Sequence, residues 1–291
     1  MQRPLAMAAN EPCGPKWLAS VSSAACVAAR LSAVWLPTPS VSSFSGQPKF
    51  VRLREDIEAA PDGSVFLLHA CAHNPTGVDP TREQWAEVSA KILAKGHHVL
   101  MDCAYQGFAS GDAEADASAI RRFLDDGHSL LLAQSFAKNF GLYGERVGTL
   151  SVACADAAEK ERVMSQLKLI IRPMYSTPPA SGARIVSTIL QDDVLNPQWY
   201  AECKGMADRI IGARATLKQH LVDGGATRNW DHVTNQIGMF AYTGLTKDQC
   251  ARMISDHHIY LTSDGRVSMA GVTEANAPYI ANAILDVTEK S

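Results

Sequence analysis

Three short apolar segments, each followed at once by a polar string, narrow the fold of this 291-residue chain more than any other feature. The segments are SVFLLHA (64–70), HHVLM (97–101) and SLLLA (129–133). Apolar runs of this length are typical of strands that are buried on both faces of a parallel sheet. In open α/β sheets, ligands bind at the carboxyl ends of the strands. We therefore expect the polar residues that follow the three segments to meet in one crevice.

A lysine and an aspartate follow two of these predicted strands. Asp102 comes directly after the second segment, and Lys138 comes shortly after the third. A lysine amine can bond covalently to a carbonyl cofactor, and a buried carboxylate can pair with a protonated pyridine nitrogen so that the ring accepts electrons. The pair suggests pyridoxal phosphate. The alternative is two surface charges, which lone lysine and aspartate residues usually are.

Longer strings around these residues resemble those of the aspartate aminotransferases, in the class I group of pyridoxal-phosphate aminotransferases. The strings occur in the family's order, and they are LLHACAHNPTGVDPT (67–81), DCAYQGFASGD (102–112), QSFAKNFGLYGERVG (134–148), IRPMYSTPP (171–179), NQIGMFAYTGL (235–245) and DGRVSMAG (264–271). The resemblance covers the chain from about residue 46 to its end. It implies the α/β architecture of fold type I, with an incomplete large domain, a mostly parallel sheet and a small α+β carboxyl-terminal domain.

The resemblance also implies three catalytic residues, Lys138, Tyr105 and Asp102, around pyridoxal 5'-phosphate. Lys138 would bond to the cofactor and move the proton at the substrate α-carbon, while Asp102 would pair with the pyridinium nitrogen. Tyr105 and Asn74 would hydrogen-bond the phenolic oxygen of the ring. A cis bond between Asn74 and Pro75 would turn the asparagine amide toward that ring. Without the motif, Tyr105 would be interpreted as an ordinary core residue.

The remaining site residues implied by the resemblance bind anionic groups. Ser135 and Arg146 would hold the cofactor phosphate, because a hydroxyl and a planar guanidinium match phosphate oxygens; the alternative for Arg146 is a surface salt bridge. Arg266 would bind the substrate α-carboxylate together with Asn74. Arg172 would reach across a dimer interface to the side-chain carboxylate of the substrate.

Arg172 sets the expected substrate class. A carboxylate that is desolvated in a pocket needs a fixed cation, so the substrates would be amino and oxo acids with a second carboxylate. The predicted reaction is amino transfer between aspartate or glutamate and 2-oxoglutarate or oxaloacetate, in a homodimer. Two alternatives remain open: an aromatic aminotransferase of the same class, and a catalytically weak fragment that acts as a partner of a full-length subunit.

Residues 1–45 carry none of the family's strings, and they are rich in alanine, serine and proline. Such a composition is typical of an organellar transit peptide, which would place the protein in a mitochondrion or plastid instead of the cytoplasm. A divergent exon is the equal alternative. The family's serine, glycine and threonine phosphate loop and its ring-stacking tryptophan have no counterpart here, and we expect the missing strands to leave sheet edges unpaired. The expected division is 46–205 for the large domain with its connecting helix, and 206–291 for the small domain.

Composition argues against several other classes of protein. The net charge of −3 gives no electrostatic support for nucleic-acid binding, and no apolar stretch reaches membrane-spanning length. The seven cysteines are spread along the chain without a CxxC pair, which is typical of reduced core thiols. His69 and His73 are spaced closely enough for a metal, but we favour a hydrogen-bonding role over metal ligation.

The helices follow from apolar periodicity and from stop signals. The first is expected to start at Asp79 and Pro80, to bury Trp85, Val88, Ile92 and Leu93, and to end before Gly96. The other predicted helices span 155–170, 181–221 with a kink near Pro197, 247–257 and 274–289. Segments 232–242 and 259–270 complete the predicted small domain.

Overall fold

The computed structural model describes the backbone of residues 17–22, 33–34 and 46–289, and the side chains of residues 50–289. The strands are β1 (Trp17–Ser22), β2 (Ala33–Val34), β3 (Val65–His69), β4 (His98–Cys103), β5 (Leu130–Ser135), β6 (Gly148–Cys154), β7 (Phe240–Tyr242) and β8 (Arg266–Ser268). The helices are α1 (Gly46–Ala59), α2 (Arg82–Ala94), α3 (Ala113–Asp116), α4 (Ser118–Asp125), α5 (Ala157–Tyr175), α6 (Ser181–Gln191), α7 (Leu195–Asp223), α8 (Asp231–Asn235), α9 (Lys247–Ser255) and α10 (Ala277–Glu289).

A six-stranded, mostly parallel sheet forms the centre of the first part of the chain, in the order β1-β6-β5-β4-β3-β2. Strands β2, β3, β4 and β5 pair in parallel, whereas β6 is antiparallel to both of its neighbours. The three strands predicted from the apolar segments are therefore present as neighbours. Because they run in parallel, their carboxyl ends lie next to one another at the same end of the sheet.

The strand register places two site residues inside the sheet instead of after it. Asp102 lies within β4, opposite His69 of β3 and Ala133 of β5, and Ser135 is the last residue of β5. The predicted strands end earlier because their ends were placed at the last apolar residue of each segment. Backbone pairing continues through a polar residue as long as a neighbouring strand offers partners.

Helix α2 begins later than its sequence predicts. Thr81 caps it, and the Thr81 and Gln84 side chains form a reciprocal capping box. The carboxylate of Asp79 instead accepts hydrogen bonds from the backbone of Ala72 and His73, at 2.6 and 2.8 Å, so it holds the preceding loop. Three of the four predicted core residues are buried, but Leu93 is 49% exposed.

The long helix predicted over 181–221 is two helices. The helix is interrupted at residues 192–194, where the Asp192 carboxylate accepts hydrogen bonds from the backbone of Val194 and Leu195 before α7 begins. Pro197 lies in the first turn of α7, a position that proline tolerates because it needs no amide donor there. The expected kink is therefore a break between α6 and α7.

The apolar core consists of two large clusters. One packs α1, α2 and α4 against the sheet, around Phe66 and Phe123. The other follows α7 toward α9 and α10, and it includes Trp199 near the start of α7. The Trp199 ring stacks on Phe140, in the turn that carries Lys138, with ring centres 4.5 Å apart. Helix α7 thus connects the strand-end edge of the sheet to the carboxyl-terminal part of the chain.

The expectation of unpaired sheet edges is wrong for β6, whereas at β3 only Val65 and Phe66 gain a partner from the amino-terminal segment. Strand β2 pairs with β3 and strand β1 pairs with β6, and both come from the amino-terminal segment 1–45. Backbone pairing of this kind requires an extended segment and no particular side chains, so the family strings gave no sign of it.

The sequence also predicts reduced cysteines, no membrane-spanning segment and no metal ligation. Among the described side chains, Cys71, Cys103, Cys203 and Cys250 are buried and free, and Cys154 is buried; Cys13 and Cys26 lie outside the described side chains. No helix among the described residues has both the length and the apolarity needed to cross a membrane. The described side chains also contain no group of three histidine, cysteine or acidic residues suited to a metal ion.

Candidate active site

Lys138 and Tyr105 meet beside the carboxyl ends of β4 and β5. The Lys138 Nζ atom lies 4.8 Å from the centre of the Tyr105 ring. Partial burial lowers the pKa of the Lys138 amine; the charge of Asp102 opposes this shift and the charge of Arg146 adds to it. A larger neutral fraction makes the amine a better nucleophile at neutral pH. The structure therefore brings together four of the residues that the sequence predicted.

Tyr105 presents a protonated hydroxyl to the same crevice. The residue is 5% exposed, and burial raises its pKa, as do the nearby Tyr143 and Asp102, while the charge of Arg266 lowers it. Burial is the largest of these influences, so the hydroxyl keeps its proton and can donate a hydrogen bond.

Arg266 and Asn74 face each other although they come from opposite ends of the chain. Arg266 Nη1 donates a hydrogen bond to Asn74 Oδ1 at 3.2 Å, and its guanidinium carbon lies 4.6 Å from the centre of the Phe240 ring. The bond between Asn74 and Pro75 is cis, which confirms the prediction. An exposed amide beside a guanidinium that lies over an aromatic ring is suited to binding a carboxylate.

Ser135 and Arg146 flank the turn that carries Lys138. The Ser135 hydroxyl accepts a hydrogen bond from the backbone of Ala137 at 3.2 Å, and Arg146 Nη1 donates to the Tyr143 carbonyl at 3.0 Å. The pairing of β5 with β6 places Ser135 opposite Gly148, so Ser135 and the exposed Arg146 lie at the same end of this strand pair. Their role as phosphate ligands remains a prediction.

Arg172 does not join the other predicted site residues in this chain. It is exposed near the carboxyl end of α5, a helix of which no residue is buried. The sequence predicted a contact across a dimer, and a single chain does not test that contact.

Three buried amide side chains that the sequence analysis missed support the site. Gln134 Nε2 donates to Gln106 Oε1 at 2.9 Å, and Asn139 Nδ2 donates to the Gln106 carbonyl at 3.1 Å. Each of the three is adjacent in sequence to a site residue, namely Ser135, Tyr105 or Lys138. One signal was available: Gln134 occupies an inward-facing position of β5, where an apolar residue is expected.

Asp116 is a further missed residue, and it holds the loop after Tyr105. Its carboxylate accepts hydrogen bonds from the backbone of Gly107 at 2.8 Å and Ala109 at 3.2 Å, and from the Ser110 hydroxyl at 2.6 Å. Burial raises the pKa of Asp116, and these hydrogen bonds oppose that shift. No local sequence pattern identifies a carboxylate that serves a loop several residues before it.

Comparison with known proteins agrees with this geometry. Residues 24–284 match the family described as aminotransferase class I and II. The chain is 57% identical over 242 residues to the mitochondrial aspartate aminotransferase of Arabidopsis thaliana, covering 83% of this chain and 56% of that protein. It is 55% identical over 240 residues to the mitochondrial aspartate aminotransferase of Dictyostelium discoideum, covering 82% of this chain and 56% of that protein.

Solved structures are similar over the same part of the chain. A mitochondrial aspartate aminotransferase from Trypanosoma brucei superposes with a TM-score of 0.81 at 46% identity, covering 82% of this chain and 63% of that one. An aromatic-amino-acid aminotransferase from Burkholderia pseudomallei, covalently bound to pyridoxal phosphate, superposes with a TM-score of 0.81 at 38% identity, covering 84% and 62%. The predicted fold type I is confirmed, and the chain spans 56% of the length of the two curated relatives.

Proposed function

Because this chain belongs to the class I and II aminotransferases, we propose that it transfers an amino group between aspartate or glutamate and 2-oxoglutarate or oxaloacetate. The observation that carries the proposal is the partly desolvated Lys138 amine, packed over Tyr105 and within electrostatic reach of Asp102. The high identity to two proteins named aspartate aminotransferase supports the substrate class.

The residues present fit pyridoxal phosphate. An amine of lowered pKa suits its carbonyl group, a protonated tyrosine hydroxyl suits its phenolic oxygen, and a carboxylate on the adjacent strand suits its pyridine nitrogen. Ser135 and Arg146 offer a hydroxyl and a guanidinium for the phosphate. When bound, the cofactor supplies an electron sink for charge that develops at the substrate α-carbon.

Each side chain then has a defined task. Lys138 Nζ takes the proton from the substrate α-carbon and returns it, which its lowered pKa favours because the neutral amine is the base. Tyr105 orients the reacting groups through its hydroxyl. Arg266 and Asn74 bind the α-carboxylate, and a carboxylate between them displaces water from the mouth of the crevice.

Substrate preference and a partner subunit are linked in this proposal. Arg172 would bind the distal carboxylate in the site of a second copy of the chain. Its helix α5 supports such a contact because Leu169, Ile170 and Met174 are exposed by 63%, 43% and 48%. Apolar side chains grouped on one exposed helix are typical of a surface covered by another subunit.

The proposed domains and location follow the sequence expectations. Residues 46–205 would form the large domain with its connecting helix, and residues 206–291 the small one. A mitochondrial location is supported by the relatives, which are mitochondrial enzymes by name, and by the transit-like composition of the amino-terminal segment. Aromatic amino acids are the less supported substrates, since the two curated relatives named above, at 57% and 55% identity, are both aspartate aminotransferases.

A comparison of lysine variants tests the proposal. We expect the chain, with added pyridoxal phosphate, to convert aspartate and 2-oxoglutarate faster than phenylalanine and 2-oxoglutarate. Lys138→Ala should abolish the reaction, because it removes the amine that packs over the Tyr105 ring. Lys204→Ala is the matched control, since Lys204 is an exposed lysine paired with Asp208 on α7. Equal rates for the two variants would contradict the proposed role of Lys138.

A further inference from the structure

Arg214 on α7 is a buried cation that the sequence analysis did not identify. It is 2% exposed, and its guanidinium donates hydrogen bonds to the carbonyl oxygens of Val233 at 2.8 Å, Gly238 at 2.8 Å and Phe240 at 2.5 Å. Burial lowers its pKa to about 10, so the group keeps its charge at neutral pH. A charge buried among neutral carbonyl groups is costly to keep, which calls for an explanation beyond packing.

The segment that Arg214 binds touches the Asn74 loop on one side. The amide of Ile237 donates to the Gly77 carbonyl at 2.8 Å. Gly238 has a φ of +85°, and a Cβ atom placed there would lie 2.7 Å from the Ala72 Cβ. The approach is close enough that a shift of the segment by a fraction of an ångström moves the loop that presents Asn74.

The same segment supports Arg266 on its other side. Phe240 begins β7, which pairs with β8 so that Tyr242 lies opposite Arg266. The Phe240 ring lies under the Arg266 guanidinium, and the Met269 amide donates to the Met239 carbonyl at 2.8 Å. The Phe240 carbonyl accepts the shortest of the three Arg214 hydrogen bonds, and the ring of the same residue contacts the Arg266 guanidinium.

We propose that Arg214 is a positioning residue, which fixes segment 236–240 so that Arg266 meets Asn74 in the geometry that binds a carboxylate. Three donors in one rigid plane hold three carbonyl groups in a fixed relation, which a flexible ammonium group does less well. The inference rests on the proposed role of Arg266 as a carboxylate ligand. It adds a residue that contacts neither substrate nor cofactor.

Hydrogen exchange in the cofactor-free chain tests the structural half of the proposal. In Arg214→Gln, the amides of Ile237 and Met269 should exchange about tenfold faster, because the carbonyl groups beside them lose their anchor. Leu221→Ala is the matched control, since Leu221 is a fully buried residue of the same helix. Equal acceleration at both amides in the two variants would overturn the proposal. Should Arg214→Gln fail to fold, Arg214→Lys replaces it and should show a smaller acceleration of the same two amides.

Carboxylate binding tests the functional half. With pyridoxal phosphate bound, succinate should bind about tenfold more weakly to Arg214→Gln than to the unmodified chain, while the dissociation constant of the cofactor stays within about twofold. Leu221→Ala should leave succinate binding unchanged at a temperature where both variants are folded. Unchanged succinate affinity in Arg214→Gln would overturn the proposal. Failure of the unmodified chain to bind cofactor or succinate would instead refute the proposed function, and the exchange experiment would still decide the role of Arg214.

Discussion

At the scale of single residues, competing influences determine the state of Lys138. Burial acts most strongly and favours the neutral amine, Arg146 acts in the same direction, and Asp102 acts against both. The net result is a lowered pKa, so desolvation outweighs the attraction of the neighbouring carboxylate. Asp102 is the proposed partner of the cofactor's ring nitrogen, and Arg146 is a proposed partner of its phosphate. The pKa of Lys138 therefore depends on two residues that would hold the cofactor.

Removing the two neighbouring charges should therefore shift the pKa of Lys138 in opposite directions. Asp102→Asn should lower it further, and Arg146→Gln should raise it. The pH dependence of Lys138 labelling by an amine reagent, read by mass spectrometry in the cofactor-free chain, measures both shifts. Labelling of the exposed Lys204 should not change. Shifts of the same sign in the two variants would show that the amine is not placed between these charges.

Arg172 should control the preference for a second carboxylate. Arg172→Ala should slow the half-reaction with aspartate about ten- to hundredfold, the usual cost of a lost bidentate charged contact, and should affect alanine much less. Arg162→Ala is the matched control, because Arg162 is another exposed arginine of α5. Equal losses for aspartate and alanine would remove Arg172 from the substrate site.

Residue types in family strings predicted Lys138, Tyr105, Arg146 and Asp102, which the structure brings together. They did not predict Gln106 or Asp116, because the partners of these residues lie on other strands or loops. In the hydrogen bond between the two buried amides, only Gln134 gave a signal, as a polar residue at an inward-facing position of β5. Arg214 was also not predicted, since it looks like any arginine of a helix until its carbonyl partners are known.

At the scale of secondary structure, the centres of elements were predictable and their ends were not. The apolar periodicity of α2 identified its buried face through Trp85, Val88 and Ile92. Its start depended on whether Asp79 or Thr81 caps the helix, and the loop before it claims Asp79. Asp192 likewise separates α6 from α7 by binding backbone amides, which a hydrophobic pattern does not reveal.

A buried polar cluster joins α2 to the start of β5. The Ser89 hydroxyl donates to Asp126 at 2.5 Å, so it must accept from His128 Nε2, 2.9 Å away. His128 therefore carries its proton on Nε2, and it packs on the Phe123 ring at 4.6 Å. Burial lowers the pKa of His128, with Ser89 and Asp126 opposing that shift.

This cluster should make stability depend on pH below the ordinary histidine range. The folded-state pKa of His128 is lowered, so the unfolded chain binds more protons and the stabilisation is lost as pH falls below about 6.5. His128→Gln should flatten the fall in the free energy of unfolding between about pH 6.5 and 5. Denaturant titrations at several pH values measure it, with the exposed His98→Gln as control. An unchanged slope in His128→Gln would contradict the assignment.

At the scale of the whole molecule, the chain holds the proposed catalytic lysine and both proposed phosphate side chains but spans 56% of the length of its two curated relatives. Its sheet has strands from the amino-terminal segment on both edges, β1 beside β6 and β2 beside β3. The resemblance read from the sequence starts near residue 46, whereas the family match starts at residue 24. Strands β1 and β2 pair through their backbone, so the sheet includes residues that carry none of the family strings.

Cofactor affinity should be lower than in a relative that carries the family's phosphate loop. We expect this loop at a helix start to be missing here, and each lost donor to a charged phosphate costs on the order of 1.5–3 kcal/mol. Titration of pyridoxal phosphate, followed by its absorbance, measures the dissociation constant, and Ser135→Ala should raise it further. Saturation at low micromolar cofactor, with normal transamination, would show that the chain needs no such loop.

Trapping the cofactor on the chain tests the central claim most directly. Pyridoxal phosphate is added, the complex is reduced with borohydride, and peptides are mapped by mass spectrometry, with Lys138→Arg as the control that lacks the reactive amine. The site geometry predicts one dominant pyridoxyl adduct, on Lys138, because this amine is partly desolvated and placed between Asp102, Tyr105 and Arg146. Adducts on other lysines with Lys138 unmodified would contradict the claim that the crevice at the ends of β4 and β5 is the cofactor site.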